Sequence, residues 1–499
     1  MRAKFLSASA PVSLMLAGLL ATTPADADTL RDALVQAYNS NPTILAARAR
    51  LRQTDEDVPI ARANGRLGVS ADANYTENVK RGPSTFSLST PRRQITGGVS
   101  ANLPVFQGGG VRNAIQAARL RVESGRADLR SSEATMFTDV VSAYMDVVRD
   151  QAIVDLNGKQ VDVLGTNLQA TKDRFQVGDL TRTDVAQSEA RLSGARSQLE
   201  SAQAQLVASR ENYLRVVGKM PDNLEVPPQL PGLPANVDDA VGAALDNNPD
   251  LISIKKESDA ARHDVGVARA SRLPRLSAVA SGDYVNYLDS IAGIPKDRGT
   301  TAAVGVQATL PLYQGGGPGA RVRQAEARVS ETLEQTIAVE RQVIAQVRSA
   351  YASHSASLGV IKSSETAVSA NELALEGVRA ENSVGTRDVL DVLNAEQELL
   401  NSRVQLVSAR RDAYVAGFAL LAAMGHAEAK DLGLDGGPLY DPVANYNRVK
   451  TSVFDWGDDG MPTSKASRTV GVAPQPSEVL QPMLEFQPVD TPPVTTSKN

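Results

Sequence analysis

Short groups of residues recur in the same order after an interval of 207 residues, and this limits the fold more than any other feature. The matched groups begin at Asn41 and Asn248, Leu103 and Leu310, Gln107 and Gln314, Ala143 and Ala350, Val177 and Val384, and Asp184 and Asp391, while Gly218 matches Gly425. Seven matches in one register indicate a tandem duplication. We therefore expect a first repeat over 28–219 and a second over 237–430, with the same elements in the same order.

Each repeat is predicted to begin with a short helix and to end with a very long helical hairpin. The Asn-Pro pair near the start of each repeat predicts the short helix, since Asn caps free N–H groups and Pro suits the first helical position. After Gly110 and Gly317, nothing breaks a helical pattern until Gly178 and Gly385. Roughly 68 residues at about 1.5 Å each give a rod about 100 Å long. Such a rod cannot bury itself in the core of a monomer.

The return helix of each hairpin is predicted to pack as a coiled coil. Large residues are spaced by seven, and three residues after each comes mostly a small one, which allows close antiparallel packing. The large positions are Val185, Leu192, Leu199, Leu206 and Tyr213 in the first repeat and Val392, Leu399, Leu406, Ala413 and Leu420 in the second. The pattern fits an ordinary coiled-coil rod as well as the wall of a helical tube.

Four segments between the short and the long helices alternate apolar and polar residues. They cover 67–80 and 93–106 in the first repeat and 275–288 and 300–313 in the second, and the third alternates less cleanly. Period two predicts strands with one apolar and one polar face, long enough to cross a bilayer when tilted. The alternative is that these are half-buried strands of a soluble β-sandwich. The secretory signal pattern of residues 1–27 favours membrane strands over this alternative.

Glycines and aromatic residues occupy matching positions where the strands lead into the long helices. The glycines are Gly108 and Gly109 in the first repeat and Gly315 and Gly316 in the second. They resemble part of a phosphate-binding loop but lack the Lys-Ser/Thr that follows it, so we expect them simply to permit the turn. Phe106 and Tyr313 are predicted to lie at equivalent strand ends, where aromatic residues fit a membrane–water interface.

Residues 1–27 have the pattern of a secretory signal peptide: basic residues, an apolar run and small residues before the cleavage site. No later stretch is long and uncharged enough for a transmembrane helix, so a membrane role would have to use strands. The chain has no cysteine, so it contains no disulfide. Its net charge is −5 and it has no basic cluster, which argues against nucleic-acid binding. Its histidines are isolated and no catalytic constellation stands out, so we expect no metal, cofactor or enzymatic activity.

Two proline-rich segments lie outside the repeats. Residues 220–236 are expected to form an extended connection between the repeats. Residues 431–499 lack an apolar period, and we expect a mostly disordered tail.

The predicted strands require more than one chain. Four strands are too few to close a barrel, and an open sheet edge is not tolerated in lipid. Several chains must therefore contribute strands to one barrel, and their helical rods must continue it as a tube. A ring of identical subunits is the simplest solution.

This order of elements, duplicated, resembles the TolC family of outer-membrane efflux proteins over about residues 28–430. The most specific matches are Leu310-Pro-Leu-Tyr-Gln-Gly-Gly at the strand-to-helix junction, and Val384-Gly-Thr-Arg387 with Asp391-Val-Leu at the helix tip. The resemblance implies a mainly α, tandem-duplicated fold with four strands per protomer in a twelve-stranded trimeric barrel, continuing into a long α-helical coiled-coil barrel. This homotrimer would lie in the outer membrane with a large periplasmic portion.

The resemblance also implies partners and cargo. A periplasmic adaptor (membrane fusion) protein and an inner-membrane ABC or proton-driven exporter would open the channel at its periplasmic end. The channel would then serve efflux of small molecules, type I secretion of proteins, or both. The helix-tip turns, Val177-Gly178 and Val384-Gly385, would meet the adaptor.

A gate at the tips is a further implication of the resemblance. Arg387 in the second turn, and Asp184 with Thr183 in the first, match positions that close the tips in the family, and Arg can hold several acceptors at once. Asp391 matches an acidic ring that would favour cations. Two positions depart from the pattern of the best-known member: Asn382 stands in place of a Tyr, and Asn394 in place of a second acidic residue.

A periplasmic adaptor and a structural coiled coil are the two alternative interpretations of this sequence. A periplasmic adaptor also uses helical hairpins, but it carries one hairpin between soluble β domains, whereas this chain has two copies with amphipathic strand pairs. A purely structural exported coiled coil does not explain the strands.

Overall fold

The structure is a computed structural model that describes residues 28–80, 91–289, 298–434 and 439–473. The first repeat contains α1 (Leu30–Ser40), α2 (Pro42–Asp55), α3 (Asp57–Ala63), β1 (Gly68–Glu77), β2 (Arg93–Gln107), α4 (Gly110–Gln176) and α5 (Arg182–Val217). The second contains α6 (Val237–Asn247), α7 (Pro249–Ala270), β3 (Arg275–Tyr287), β4 (Arg298–Thr309), α8 (Gly317–Ser383) and α9 (Val389–Ala423), and α10 (Ala444–Val449) follows. The predicted signal peptide, and residues 435–438 and 474–499 of the predicted tail, lie outside the described residues.

The Asn-Pro pairs begin helices in both repeats, as the sequence predicts. The Asn41 side chain accepts a hydrogen bond from the N–H of Thr43 (2.8 Å), and the Asn248 side chain accepts one from that of Asp250 (3.0 Å). Each Asn also donates to the last turn of the return helix, to the carbonyl of Val216 (2.7 Å) in the first repeat and of Ala423 (2.9 Å) in the second. The same cap therefore fastens the short helix to the long hairpin in both repeats.

The glycine turns between the strands and the long helices also recur. The paired glycines have φ values of +60° and +80° at Gly108 and Gly109, and +60° and +82° at Gly315 and Gly316. These left-handed conformations suit glycine, as expected. The two turns differ in how closely they are packed. A Cβ added to Gly108 would stand 2.7 Å from the Cβ of Leu273, whereas nothing lies within 4 Å of a Cβ added to Gly315.

The two long hairpins differ in how deeply they are packed. Helices α4 and α8 have the same length of 67 residues, but twenty residues of α4 are buried against six of α8. Both long helices nevertheless bury an apolar stripe almost completely, with Val140 and Tyr144 in the first repeat and Val343 and Val347 in the second. Helix α4 contacts α5, α7 and α9, while α8 keeps most of its length exposed.

The four strands form one antiparallel sheet in the order β1-β2-β3-β4, so the two repeats join at the β2–β3 pair. A typical apolar rung across the sheet is Val69, Ala101, Ala280 and Val304. The next rung is mostly polar, because Ser70, Ser100 and Ser281 stand beside Ala303. In the part of the chain that the structure describes, β1 and β4 each pair on one side only, so both edges of the sheet are open.

The fourth strand is shorter than predicted. We expected it to extend to residue 313, but β4 ends at Thr309, which pairs with Arg275 at the first position of β3. Beyond Thr309 no partner strand remains, and Pro311 has no N–H to donate. Tyr313 therefore lies outside the sheet and is 88% exposed, whereas Phe106 lies within β2 and pairs with Leu276. The prediction that these two aromatic residues occupy equivalent strand ends is wrong.

The connection between the repeats and part of the tail contact the helices. Residues 220–236 contain no helix or strand, and the carbonyls of Glu225 and Ala235 accept hydrogen bonds from the hydroxyls of Tyr144 (2.7 Å) and Tyr351 (3.0 Å). We expected residues 431–499 to be mostly disordered, but residues 439–452 include α10 and pack on α2 through aromatic and polar side chains that the apolar-period argument ignored. No helix of the described residues has the length and apolar character needed to cross a membrane.

Candidate functional site

The predicted site lies at the two turns where the long helices reverse direction. Gly178 and Gly385 both adopt left-handed conformations, with φ of +83° and +79°. In each turn the residue after this glycine donates its N–H five residues back: Asp179 to the carbonyl of Arg174 (2.9 Å), and Thr386 to that of Glu381 (3.0 Å). This pattern satisfies the last carbonyls of a helix and ends it.

Apolar residues project from both turns. Val177 is 80% exposed and Val384 is 74% exposed, each directly before the left-handed glycine. Singly exposed apolar residues are common on protein surfaces. Here the repeat places the same residue at the outermost point of both hairpins, which suits a contact with another protein.

The first tip holds its aspartate locally. Asp184 accepts hydrogen bonds from the N–H of Thr181 (2.7 Å) and from its hydroxyl (2.8 Å), and the Thr181 side chain in turn caps the N–H of Asp184. These hydrogen bonds from Thr181 to the carboxylate hold the pKa of Asp184 below its usual value. Thr183, the other predicted residue here, is exposed.

The second tip replaces this capping box with an ion pair. The residue that matches Thr181 is Asp388, and a carboxylate at the cap position cannot donate to the carboxylate of Asp391. Arg387 instead places its Nε 2.7 Å from Glu381 and its Nη1 3.5 Å from Asp391. These hydrogen bonds, the one to Glu381 first, raise the pKa of Arg387. All three side chains are about half exposed.

The two tips therefore differ in charge although their backbones match. Between residues 174 and 184 two arginines balance two aspartates, whereas between 381 and 391 one arginine meets three carboxylates, a net charge of −2. The excess lies at the outermost turn of the second hairpin. A solute that reaches this tip meets a field that attracts cations.

The structure does not join Asp184 to Arg387 within one chain. Each uses the partners in its own turn, and Asn382 donates to the carbonyl of Arg387 (2.8 Å). Asn394 does cross between the hairpins, because Arg191 of α5 donates to its side chain (2.7 Å). Close by, Leu393 of α9 is buried against Leu192 in a cluster with the first hairpin.

Three of these contributors were missed from the sequence: Glu381, Arg191 and Leu393. Glu381 could have been found, because a turn of this type brings a residue and the one six positions later together. Arg191 and Leu393 depend on the register between two separate hairpins, for which the sequence carries no local signal. Among the described residues, no group of acidic or histidine side chains is arranged to hold a metal ion.

Comparison with known proteins gives one consistent result. The sequence model of the family described as Outer membrane efflux protein matches residues 33–219 and 240–426, two spans related by the same interval of 207 residues as the repeats. The chain is 34% identical to outer membrane efflux protein BepC of Brucella suis over 443 residues, which are 89% of this chain and 95% of BepC.

More distant relatives agree. The chain is 26% identical to outer membrane protein TolC of Escherichia coli, over 87% of this chain and 89% of TolC. Its fold matches the crystal structure of the outer membrane protein VceC of Vibrio cholerae with a TM-score of 0.67 at 24% identity, over 79% of this chain and 96% of VceC.

Proposed function

The chain belongs to the outer membrane efflux protein family, and from this membership we propose that three copies of it close one continuous exit channel through the outer membrane and the periplasm. The chain is an outer membrane efflux protein, and we propose that its strands lie in the outer membrane and its long helices in the periplasm. This decides against the periplasmic adaptor and the structural coiled coil. The number of copies, the gate and the partners are our proposals.

The open edges of the sheet carry the proposal of a shared barrel. Both β1 and β4 leave a row of N–H and C=O groups without a strand partner in the described residues, and every residue of these strands is exposed. Inside a bilayer each such group costs several kcal/mol when it lacks a hydrogen bond. Pairing β4 of one copy with β1 of the next removes both edges at once.

The width of the barrel favours three copies. A barrel of about eight strands, which two copies would give, is just filled by its own side chains. Three copies give about twelve strands, whose polar inner face can enclose water. The polar rungs of the sheet, such as Ser70 and Ser100 with hydroxyls 2.8 Å apart, suit that inner face.

The exposed length of α8 supports the same arrangement. Apolar side chains stand out along it, including Leu333, Ile337, Leu358 and Leu373, which is 71% exposed. In a ring, the α8–α9 hairpin of one copy can pack against the α4–α5 hairpin of the next. This contact would cover α8 as fully as the chain's own helices cover α4.

We assign the gate to Thr183, Asp184, Arg387, Asp391 and Asn394. The guanidinium of Arg387 has five N–H donors, and its contacts with Glu381 and Asp391 use two of them. The remaining donors are available to Asp184 and Thr183 of an adjacent hairpin when the tips converge. The neutral Asn394 is engaged by Arg191, so cation attraction would rest mainly on Asp391 and its acidic neighbours.

The exposed turns at Val177-Gly178 and Val384-Gly385 are the proposed contact for a periplasmic adaptor, which would connect the channel to an inner-membrane ABC or proton-driven exporter. The proposed cargo is a small molecule, a secreted polypeptide, or both. Deleting the gene and measuring drug susceptibility beside the profile of secreted proteins would distinguish these cargoes.

The assembly can be tested on the purified full-length protein. We expect it in the outer membrane fraction, as a species of three times the monomer mass on an unheated SDS gel that falls to the monomer on heating. We also expect single-channel conductance in planar bilayers. A monomer or dimer, or a membrane protein without conductance, would contradict the shared barrel.

The gate is tested separately by Arg387→Ala. We expect the mutation to raise conductance, because it removes the donors that hold the tips together and leaves three carboxylates to repel one another. Arg182→Ala at the first tip is the matched control. Unchanged conductance of Arg387→Ala in intact trimers would show that the gate lies elsewhere.

A further inference from the structure

The C-terminal segment of residues 439–473 runs along the short helices toward the sheet. Its contacts in chain order are Tyr440 with Tyr38, Asn445 with Asp55, Lys450 with Arg62, and Ser452 with Arg66. Arg66 lies two residues before β1, so the segment reaches the base of the sheet at Ser452. The chain then turns back, because Ser467 lies beside Gly218 at the end of α5.

The turn of this segment is a closed loop. Arg448 donates to both carboxylate oxygens of Asp459, at 2.8 and 2.7 Å. Such a paired contact fixes geometry as well as charge. Residues 449–458 between these two partners therefore form a defined loop, here called the aromatic loop.

The aromatic loop exposes large apolar side chains. Val453 is 74% exposed, Phe454 is 72% exposed and Trp456 is 89% exposed. Trp and Phe rings carry the largest apolar surfaces of any side chains, and proteins usually cover them in a core or an interface. With Val453 they form a patch of three exposed apolar side chains within four positions, beside the Arg448–Asp459 ion pair, and such a patch suits contact with a partner surface.

The anchoring of the loop indicates which surface that is. Trp456 follows Ser452 by four residues, so it lies within about 14 Å of Ser452, whose carbonyl accepts a hydrogen bond from Arg66 just before the base of the sheet. Beyond its hydrocarbon core of about 30 Å, a bilayer has headgroup layers that bring the total to about 40–45 Å. Trp is the residue most typical of this layer, because its ring is apolar while its N–H needs a polar partner.

We propose that the aromatic loop rests in the lipid headgroup layer at the periplasmic face of the outer membrane and steadies the base of the barrel there. The proposal rests on the proposed function, since it requires the sheet to lie in the membrane. Asp455 and Asp458 flank Trp456, and these charged groups limit the ring to a shallow position. The loop adds an anchor that the strands themselves do not contain.

The chain offers a direct test, because Trp456 is its only tryptophan. The full-length protein is reconstituted into phosphatidylcholine vesicles in which bromine atoms lie either near the headgroup end or near the tail end of the acyl chains. We expect the headgroup-end bromines to remove about half of the fluorescence and the tail-end bromines clearly less. Conductance of the same preparation shows whether the channel itself has inserted.

Two outcomes would overturn the proposal in a conducting preparation. Fluorescence that aqueous iodide quenches fully and brominated lipid does not would place the loop in water. Fluorescence that neither quencher reaches would place the loop against a neighbouring subunit. A preparation that neither conducts nor binds vesicles would contradict the proposed function instead.

Variants of the loop make the test specific. Phe454→Ser removes apolar surface beside Trp456 and is expected to reduce quenching by brominated lipid at least by half. Val470→Ser is the matched control, since Val470 is 93% exposed on the same segment but follows Thr469, which lies with Ser467 near the end of α5. Equal quenching in the two variants would also overturn the proposal.

Discussion

Leu393 is the residue whose loss should loosen the proposed gate at the hairpin tips most directly. It lies on α9 of the second hairpin, is 2% exposed, and is buried in a cluster with Leu164, Leu192 and Ala195 of the first hairpin. The position 207 residues earlier is Ala186, so the first hairpin has no corresponding side chain to offer. Leu393→Ala therefore removes a contact that holds the two hairpins of one chain together close to their tips.

The size of the effect follows from this burial. Replacing a buried Leu by Ala costs about 2–5 kcal/mol, and a site near the end of a hairpin, where the packing relaxes easily, belongs at about 2 kcal/mol. If all three contacts of a trimer break on opening, the mutation destabilises the closed state by about 6 kcal/mol relative to the open state. Each 1.4 kcal/mol changes the equilibrium between the two states tenfold. The open fraction would then rise by up to about 10⁴-fold, and by about 30-fold if one contact breaks.

Single-channel recording of the purified full-length protein in planar bilayers measures this directly. We expect Leu393→Ala to raise the mean conductance or the open probability, with no change in the trimer band on an unheated gel. Leu390→Ala, on the same helix and half-buried, is the matched control and should change neither. Wild-type conductance from an intact Leu393→Ala trimer would refute the reasoning that these hairpins separate when the channel opens.

Three further predictions concern the tips and the glycine turns. Asp391→Asn should lower the preference for cations, measured as the reversal potential in a salt gradient, and an unchanged reversal potential would exclude Asp391 from the conduction path. Gly108→Ala should impair assembly far more than Gly315→Ala. Both substitutions add about 1 kcal/mol of backbone strain at a positive φ, but only Gly108→Ala also creates a clash. Equal trimer yields from the two variants would contradict this. Thr181→Ala should cost about 1 kcal/mol at the start of α5. In wild-type protein, folding lowers the pKa of Asp184. The ionised Asp184 therefore contributes its full stabilisation of the fold above the unfolded pKa of about 3.9, and this contribution is lost as the pH falls through the lower folded pKa. Hydrogen exchange at the start of α5, measured between neutral and acidic pH, would show both effects.

Local signals explain what the sequence could predict of this fold. The start of each short helix follows from an Asn cap and a Pro, and the limits of α4 and α8 follow from glycines at Gly109 and Gly316 on one side and Gly178 and Gly385 on the other. These features act through a residue's own backbone and its nearest neighbours. The alternation of apolar and polar residues is also a local signal. It predicted all four strands, with small errors at their ends.

Non-local packing explains what the sequence could not predict. The end of β4 at Thr309 is set by where its partner β3 begins, and the order of the tail is set by side chains of α2 and α3 that it meets. The contact of Arg191 with Asn394 needs the register of two hairpins that are far apart in the chain. None of these features is repeated after 207 residues, so the duplication gave no second copy from which to recognise them.

Divergence between the repeats gives the two tips different properties on one backbone. At the first tip Thr181 binds Asp184 and the charges balance; at the second, Asp388 leaves Asp391 without a capping donor, and the tip keeps a net charge of −2. In the proposed ring the two kinds of hairpin alternate, so the negative charge recurs with threefold symmetry although the helices approximate sixfold symmetry. A partner with basic residues would therefore distinguish the second tips from the first by charge, even where the helices present the same shape.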